Sequence, residues 1–257
     1  MTDTTLRQND AGVTEDRLLD GNIVLRQPRK GYRAGLDALL LAGACDAAAG
    51  ARVIEAGCGV GGALLCAARL REGASFTGVE RDEAAVALAR ENAALNGLEA
   101  RVHVVQGDVA QPFRRLGLEP FDAAMANPPF FDDPRTLRAP DPAKRGAWIA
   151  EEGLAAWIAF LLKAVREGGT LTLIHRADRL ADILGLLSPK AGSIQVRPVQ
   201  PFADAPAKRV LVRAVKTGRA PLALLPPLVL HARGETAFLP AADAILRGAA
   251  PLPWGPH

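Results

Sequence analysis

No apolar run in the 257 residues approaches the ~20 consecutive residues that a helix needs to cross a bilayer. That excludes a membrane-spanning helix as the organising element. Cysteine is almost missing: Cys45, Cys58 and Cys66 form no CxxC pair and stand near no histidine cluster. A zinc site and a disulfide framework are therefore both unsupported, and the three thiols read as small buried residues. His103, His175, His231 and His257 have no spacing that suggests catalysis. The opening stretch MTDTTLRQNDAGVTED has acids and no apolar centre, so it resembles neither a secretory signal nor an Arg/Ser-rich transit peptide, and a cytoplasmic location is expected. No internal repeat is visible.

What is present fits a packed globule: 49% of residues are hydrophobic and 23% charged. The length suits one large α/β domain with a small appendage. A formal net charge of +3 decides nothing about partners on its own. Residues 1–16 read as a loose leader, 17–215 as the domain, and the Pro/Ala/Leu-rich 216–257 as a C-terminal extension packing on it, with a short helix at Ala241 to Arg247. Asp20-Gly21-Asn22 marks a turn or hairpin. Within Leu36 to Ala42 a compact helix is expected, with Asp37 as its cap or first-turn acid.

From Arg52 onward short apolar strands alternate with helical stretches, the pattern of parallel βαβ units. Strands are expected at about 52–56, 75–80, 101–106, 121–126 and 169–174, and helices at about 61–71, 83–96, 147–166 and 177–187. Gly97 stands where a left-handed residue would end the second of these helices. Two further extended stretches, 193–199 and 208–215, have only a turn between them and must pair antiparallel, since a parallel pair needs a crossover.

Strand one runs into Val53-Ile54-Glu55-Ala56-Gly57-Cys58-Gly59-Val60-Gly61-Gly62. Glycines at 57, 59 and 61 permit a tight turn and close ligand approach, and the helix beginning there aims its N–H groups at whatever lies above. A dinucleotide's pyrophosphate would be repelled by Glu55, two residues before the first glycine, whereas a ligand with a cationic end would be attracted. S-adenosylmethionine is such a ligand, with an ammonium and a sulfonium. Glu80, ending strand two, can accept from ribose hydroxyls. Asp108, after strand three, is placed either for an adenine amino group or as a helix cap.

Strand four ends in Asn127-Pro128-Pro129-Phe130. Two prolines fix their φ angles and remove two N–H donors, which leaves a stiff loop of acceptors. If the Asn127 side-chain oxygen and the Pro128 carbonyl accept the two N–H bonds of a conjugated amine, its nitrogen can turn pyramidal as it attacks a methyl group, and Phe130 offers a stacking face.

Glu55 to Gly61 together with Asn127 to Phe130 resembles the amino-methyltransferases with an (N/D)PP(Y/F) motif. The segment Gly31-Tyr32-Arg33-Ala34-Gly35-Leu36-Asp37 is similar to the one preceding the sheet in the bacterial tRNA1(Val) adenosine-37 N6-methyltransferase family. The resemblance implies a Rossmann-like, mostly parallel seven-stranded class I sheet with a terminal antiparallel hairpin and helices on both faces. It implies S-adenosylmethionine as cofactor, held by Gly35, Asp37, Glu55, Gly57, Gly59, Gly61, Glu80, Asp108 and Asn127, with no metal. It also implies an adenine in structured RNA, with Asn127, Pro128, Pro129 and Phe130 catalytic. Phe130 in place of tyrosine keeps a guanine-N2 target in rRNA open, and a protein glutamine amide or a non-catalytic RNA-binding module stay as alternatives. Candidate phosphate contacts are Arg26, Arg29, Lys30 and Arg33 before the sheet and Arg135, Arg138, Lys144 and Arg145 after the tetrapeptide.

Overall fold

The computed structural model describes residues 12–30, 33–129 and 153–255. The chain opens with an antiparallel hairpin, β1 (Val13–Leu18) and β2 (Ile23–Pro28), in which Leu18 faces Ile23. Its turn is left-handed at Leu19, Asp20 and Gly21, and the Asn22 side chain donates to the Leu19 carbonyl at 2.7 Å. The expected turn at 20–22 is there, but its first strand begins at Val13, inside the stretch read as leader. The alternation of buried and half-buried residues along β2 shows why: the hairpin has an apolar face to bury.

After helix α1 (Leu36–Ala44) the chain alternates β3 (Arg52–Ala56), α2 (Gly62–Leu70), β4 (Ser75–Glu80), α3 (Glu83–Leu95), β5 (Val102–Gln106), a 3-10 turn at Phe113–Leu116 and β6 (Phe121–Ala126). Then come α4 (Leu154–Ala164), β7 (Val165–Arg176), α5 (Leu180–Leu187), β8 (Ala191–Gln200) and β9 (Arg209–Lys216). The expected segments agree closely with these. The fourth helix differs: it ends at Ala164, because Val165 already pairs with Phe121 in the sheet, and the expected start at 147 lies outside the described residues. Asp82 caps α3 by accepting from Ala85 N–H at 2.8 Å, and Gly97 ends it with φ +64°.

The sheet order is β8-β9-β7-β6-β3-β4-β5. β7 pairs with β6 in parallel and with β9 antiparallel, and β9 pairs antiparallel with β8. These seven strands are the mostly parallel sheet with a terminal antiparallel hairpin. One face carries α1, α2 and α3 over a core that includes Leu40, Leu64 and Phe76; the other carries α4 and α5 over Ile54, Phe121 and Ile158.

The residues after β9 run chiefly along one edge of the sheet. β10 (Ala223–Leu224) and β11 (Leu228–Val229) pair in parallel with β8. Arg197 of β8 donates to the carbonyls of Pro226 and Pro253 at 2.8 and 2.5 Å. Helix α6 (Pro240–Leu246) lies on α1, with Ile245 against Gly43, and the Trp254 indole donates to Ala44 O at 2.8 Å. An edge strand left bare would expose a row of unpaired backbone groups, and the tail covers it.

Candidate active site

Strands β3 and β6 are neighbours, with Ala56 in register with Ala126. The residue after each, Gly57 and Asn127, therefore leaves the sheet side by side, at the carboxyl end where open α/β sheets bind ligands. Strand spacing puts them about 5 Å apart across the ladder. Asn127 and Pro128 thus lie beside the glycine turn; Phe130 lies outside the described residues.

The turn is shaped by its glycines. Gly57, Gly59 and Gly61 all have positive φ, at +64°, +55° and +92°, values that a residue with a Cβ adopts only under strain. A Cβ at Gly57 would stand 2.2 Å from Trp157 Cη2, and one at Gly62 would stand 2.3 Å from Ala34 Cβ. Above Gly59 there is open space, where a ligand can reach the backbone.

Glu80 braces this turn from the neighbouring strand. Its Oε2 accepts from Gly59 N–H at 2.9 Å, and its Oε1 accepts from the N–H groups of Arg81 and Asp82 at 2.8 and 3.0 Å. With about four lone-pair sites on a carboxylate, room is left for one ribose hydroxyl rather than two. Sequence reasoning missed this bracing role, because the pairing spans 21 residues and follows only from the β3–β4 register.

Glu55 is 3% exposed, so it is neither a solvated strand-end acid nor an open contact. Its Oε2 is buried without a hydrogen-bond partner. Burial, and then the charge of Glu80, push its carboxyl well above the usual carboxylate range, while the Leu64 N–H works the other way. A buried acid with an uncommitted oxygen under an open glycine turn fits a ligand that brings positive charge, as the ammonium of S-adenosylmethionine does.

Asp108 accepts from Ala110 N–H at 2.9 Å, which closes a turn after β5; no helix begins at Val109 for it to cap. Gly35 precedes α1 and Asp37 sits in its first turn. Asp37 is ion-paired with Arg209 at 3.0 Å, a partner not apparent from sequence. Just before this segment, Ala34 lies over Gly62 of the turn and is held by Gln27, whose Oε1 accepts from Ala34 N–H at 2.9 Å.

Two of the four cations before the sheet are committed to the hairpin itself. Arg26 pairs with Glu15 at 3.1 Å, and Arg33 pairs with Asp16 while donating to Thr14 Oγ1 at 2.9 Å. Arg29 and Lys30 remain exposed. Arg135, Arg138, Lys144 and Arg145 lie outside the described residues. Among the described residues no group of His, Cys, Asp and Glu is arranged to hold a metal ion, and no helix is long and apolar enough to cross a membrane.

Residues 47–173 match the family model described as a methyltransferase domain. Among curated proteins, the chain is 30% identical over 157 residues to a tRNA1(Val) (adenine(37)-N6)-methyltransferase of Actinobacillus succinogenes, covering 60% of this chain and 65% of that one. It is also 30% identical over 167 residues to a release factor glutamine methyltransferase of Gloeobacter violaceus, covering 62% and 57%. The matched region thus spans less than two thirds of either relative. A crystal structure from Agrobacterium tumefaciens, described as that of a predicted O-methyltransferase, superposes with a TM-score of 0.71 at 28% identity, covering 84% of this chain and 97% of that one. The fold is the Rossmann-like methyltransferase fold.

Proposed function

We propose that this chain, built around the methyltransferase domain of residues 47–173, transfers a methyl group from S-adenosylmethionine to N6 of an adenine in tRNA. One observation carries the reading: Asn127-Pro128-Pro129 leaves β6 directly beside Gly57, through the Ala56–Ala126 register.

When bound, S-adenosylmethionine supplies an electrophilic methyl group and a thioether leaving group. Gly57 to Gly61 and Glu80 would hold it, with Glu55 favouring its cationic end. The Asn127 Oδ1 and the Pro128 carbonyl would accept the two N–H bonds of the target amine. That frees the nitrogen lone pair from the ring and meets the positive charge growing on nitrogen. The nitrogen lone pair would take the methyl group, the sulfur would keep the C–S bonding pair, and the surplus proton would leave to water, so no general base is required of the chain. Asp108 and the Gly35–Asp37 segment would border the donor pocket, Phe130 would stack on the base, and Arg29 and Lys30 would meet phosphates on its approach. Such work belongs in the cytoplasm.

The test is mass spectrometry of nucleosides in tRNA and rRNA from a strain lacking the gene. Loss of N6-methyladenosine from tRNA is the expected outcome; loss of N2-methylguanosine from rRNA, or of neither, rejects it. A second reading, methylation of a glutamine side-chain amide in a protein, is favoured by the similarity to the release factor enzyme, since the same acceptors suit an amide nitrogen. Methyl transfer into an extract that survives ribonuclease would select it.

A further inference from the structure

Trp157 stands in the first turn of α4, the helix that runs back from the carboxyl end of β6 toward the start of β7. Its neighbours on that helix face, Leu154, Ile158 and Leu161, are buried, yet the indole stays half-buried. The benzo edge of the ring lies against Gly57, where a Cβ would meet Cη2 at 2.2 Å and Cζ3 at 2.7 Å. Gly57 and Asn127 emerge from register partners, so the ring that touches Gly57 lies at the carboxyl rim, about one strand spacing from the start of the Asn127-Pro128 loop.

We infer that Trp157 forms one wall of the acceptor pocket and gives the incoming purine a flat surface beside the Asn127 and Pro128 oxygens. A leucine would fill a core position on α4 equally well. Only a broad planar side chain both closes on a glycine without a Cβ and keeps a π face for a base. The same contact explains why residue 57 must be glycine over and above its φ. The inference rests on the adenine reading above.

The test uses full-length protein saturated with S-adenosylhomocysteine and titrated with adenosine, following tryptophan emission. Trp148 and Trp254 are common to the wild type and to Trp157→Phe, so the difference between the two reports residue 157. Adenosine is expected to quench the emission of the wild type clearly more than that of Trp157→Phe. In parallel, Trp157→Leu is expected to raise the KM for tRNA by roughly tenfold or more, the scale of one lost base stack, with S-adenosylhomocysteine affinity within twofold. Trp157→Phe should restore most of the KM.

Equal adenosine quenching in wild type and Trp157→Phe, or an unchanged KM in Trp157→Leu, overturns the inference. So does a fall in S-adenosylhomocysteine affinity that parallels the lost activity, because the indole would then serve the donor. Failure of the adenine reading has a different signature: wild-type protein transfers no methyl group to tRNA at all.

Discussion

Asn92 binds both backbone groups of Arg26: its Oδ1 accepts from the Arg26 N–H at 2.9 Å and its Nδ2 donates to the Arg26 carbonyl at 2.9 Å. The same amide nitrogen donates to Val60 O at 3.0 Å. One turn later Asn96 treats Val24 in the same way, at 2.8 and 2.7 Å. Two asparagines four apart, one on α3 and one capping its C-terminal end, thus act as a short strand edge for β2, and Asn92 ties the hairpin to the glycine turn.

Asn92 is fully buried, so removing its side chain leaves buried backbone groups without partners. Asn92→Ala is expected to cost about 2–4 kcal/mol, or a melting-temperature fall of roughly 5–15 °C for a chain of this size. Asn92→Asp should be worse, since it loses the same donors and also places a buried carboxylate against the Arg26 and Val60 carbonyl oxygens. Scanning calorimetry of both variants checks the order.

Glu55 predicts a pH dependence. Its pKa in the folded chain lies above that in the unfolded chain, because burial and Glu80 favour the neutral form. Its contribution to stability is therefore fully present below the ordinary carboxylate range and is lost as pH rises through the raised value. Glu55→Gln mimics the neutral form, so its melting temperature without cofactor should exceed that of the wild type by a margin that grows from pH 5 to pH 8. A margin independent of pH contradicts the assignment. Adding S-adenosylhomocysteine, which carries the same ammonium, should narrow the margin at the upper end.

Gly57→Ala should weaken S-adenosylhomocysteine binding by at least tenfold and destabilise the fold by about 1–3 kcal/mol, from the Trp157 overlap and the left-handed backbone together. Pairing it with Trp157→Leu relieves the overlap but not the backbone strain, so only part of the stability should return. Thermal shift with and without ligand separates the two contributions.

Arg197 fastens the tail to β8 through two carbonyls. Arg197→Ala is expected to lower stability by about 1–3 kcal/mol and to speed proteolysis within residues 220–255. Its affinity for S-adenosylhomocysteine should be unchanged, because β9, β7 and β6 stand between β8 and the strand that carries the glycine turn.

The sheet was legible because its strands are short apolar runs separated by glycine turns and amphipathic helices, a pattern set by local chemistry. The hairpin at 208–215 was legible by elimination, since no helix separates it from 193–199. The candidate site was legible where backbone chemistry fixes its geometry, in the turn at Gly57 to Gly61 and the strand exit at Asn127-Pro128. It was not legible where side chains act across the register. Glu80 reads as a ribose acid from its strand position, while its bracing of Gly59 depends on how β3 lies beside β4. Asp37 reads as a first-turn acid and gives no hint of Arg209, 172 residues away. Asn92 did leave a signal: an amide inside a helix, a poor helix former, needs a reason to be there, while Asn96 beside Gly97 reads as an ordinary helix end. Trp157 left none, since a tryptophan in an apolar helix reads as core.

The central claim is that the Asn127 side-chain oxygen activates the target amine beside a donor held over the glycine turn. Its most direct test is transfer of labelled methyl from S-adenosylmethionine to tRNA isolated from a deletion strain, comparing wild type with Asn127→Ala, alongside calorimetric affinity for S-adenosylhomocysteine. A fall in kcat of roughly a hundredfold or more, with donor affinity within about twofold, is the predicted result. Wild-type kcat in Asn127→Ala would contradict the account.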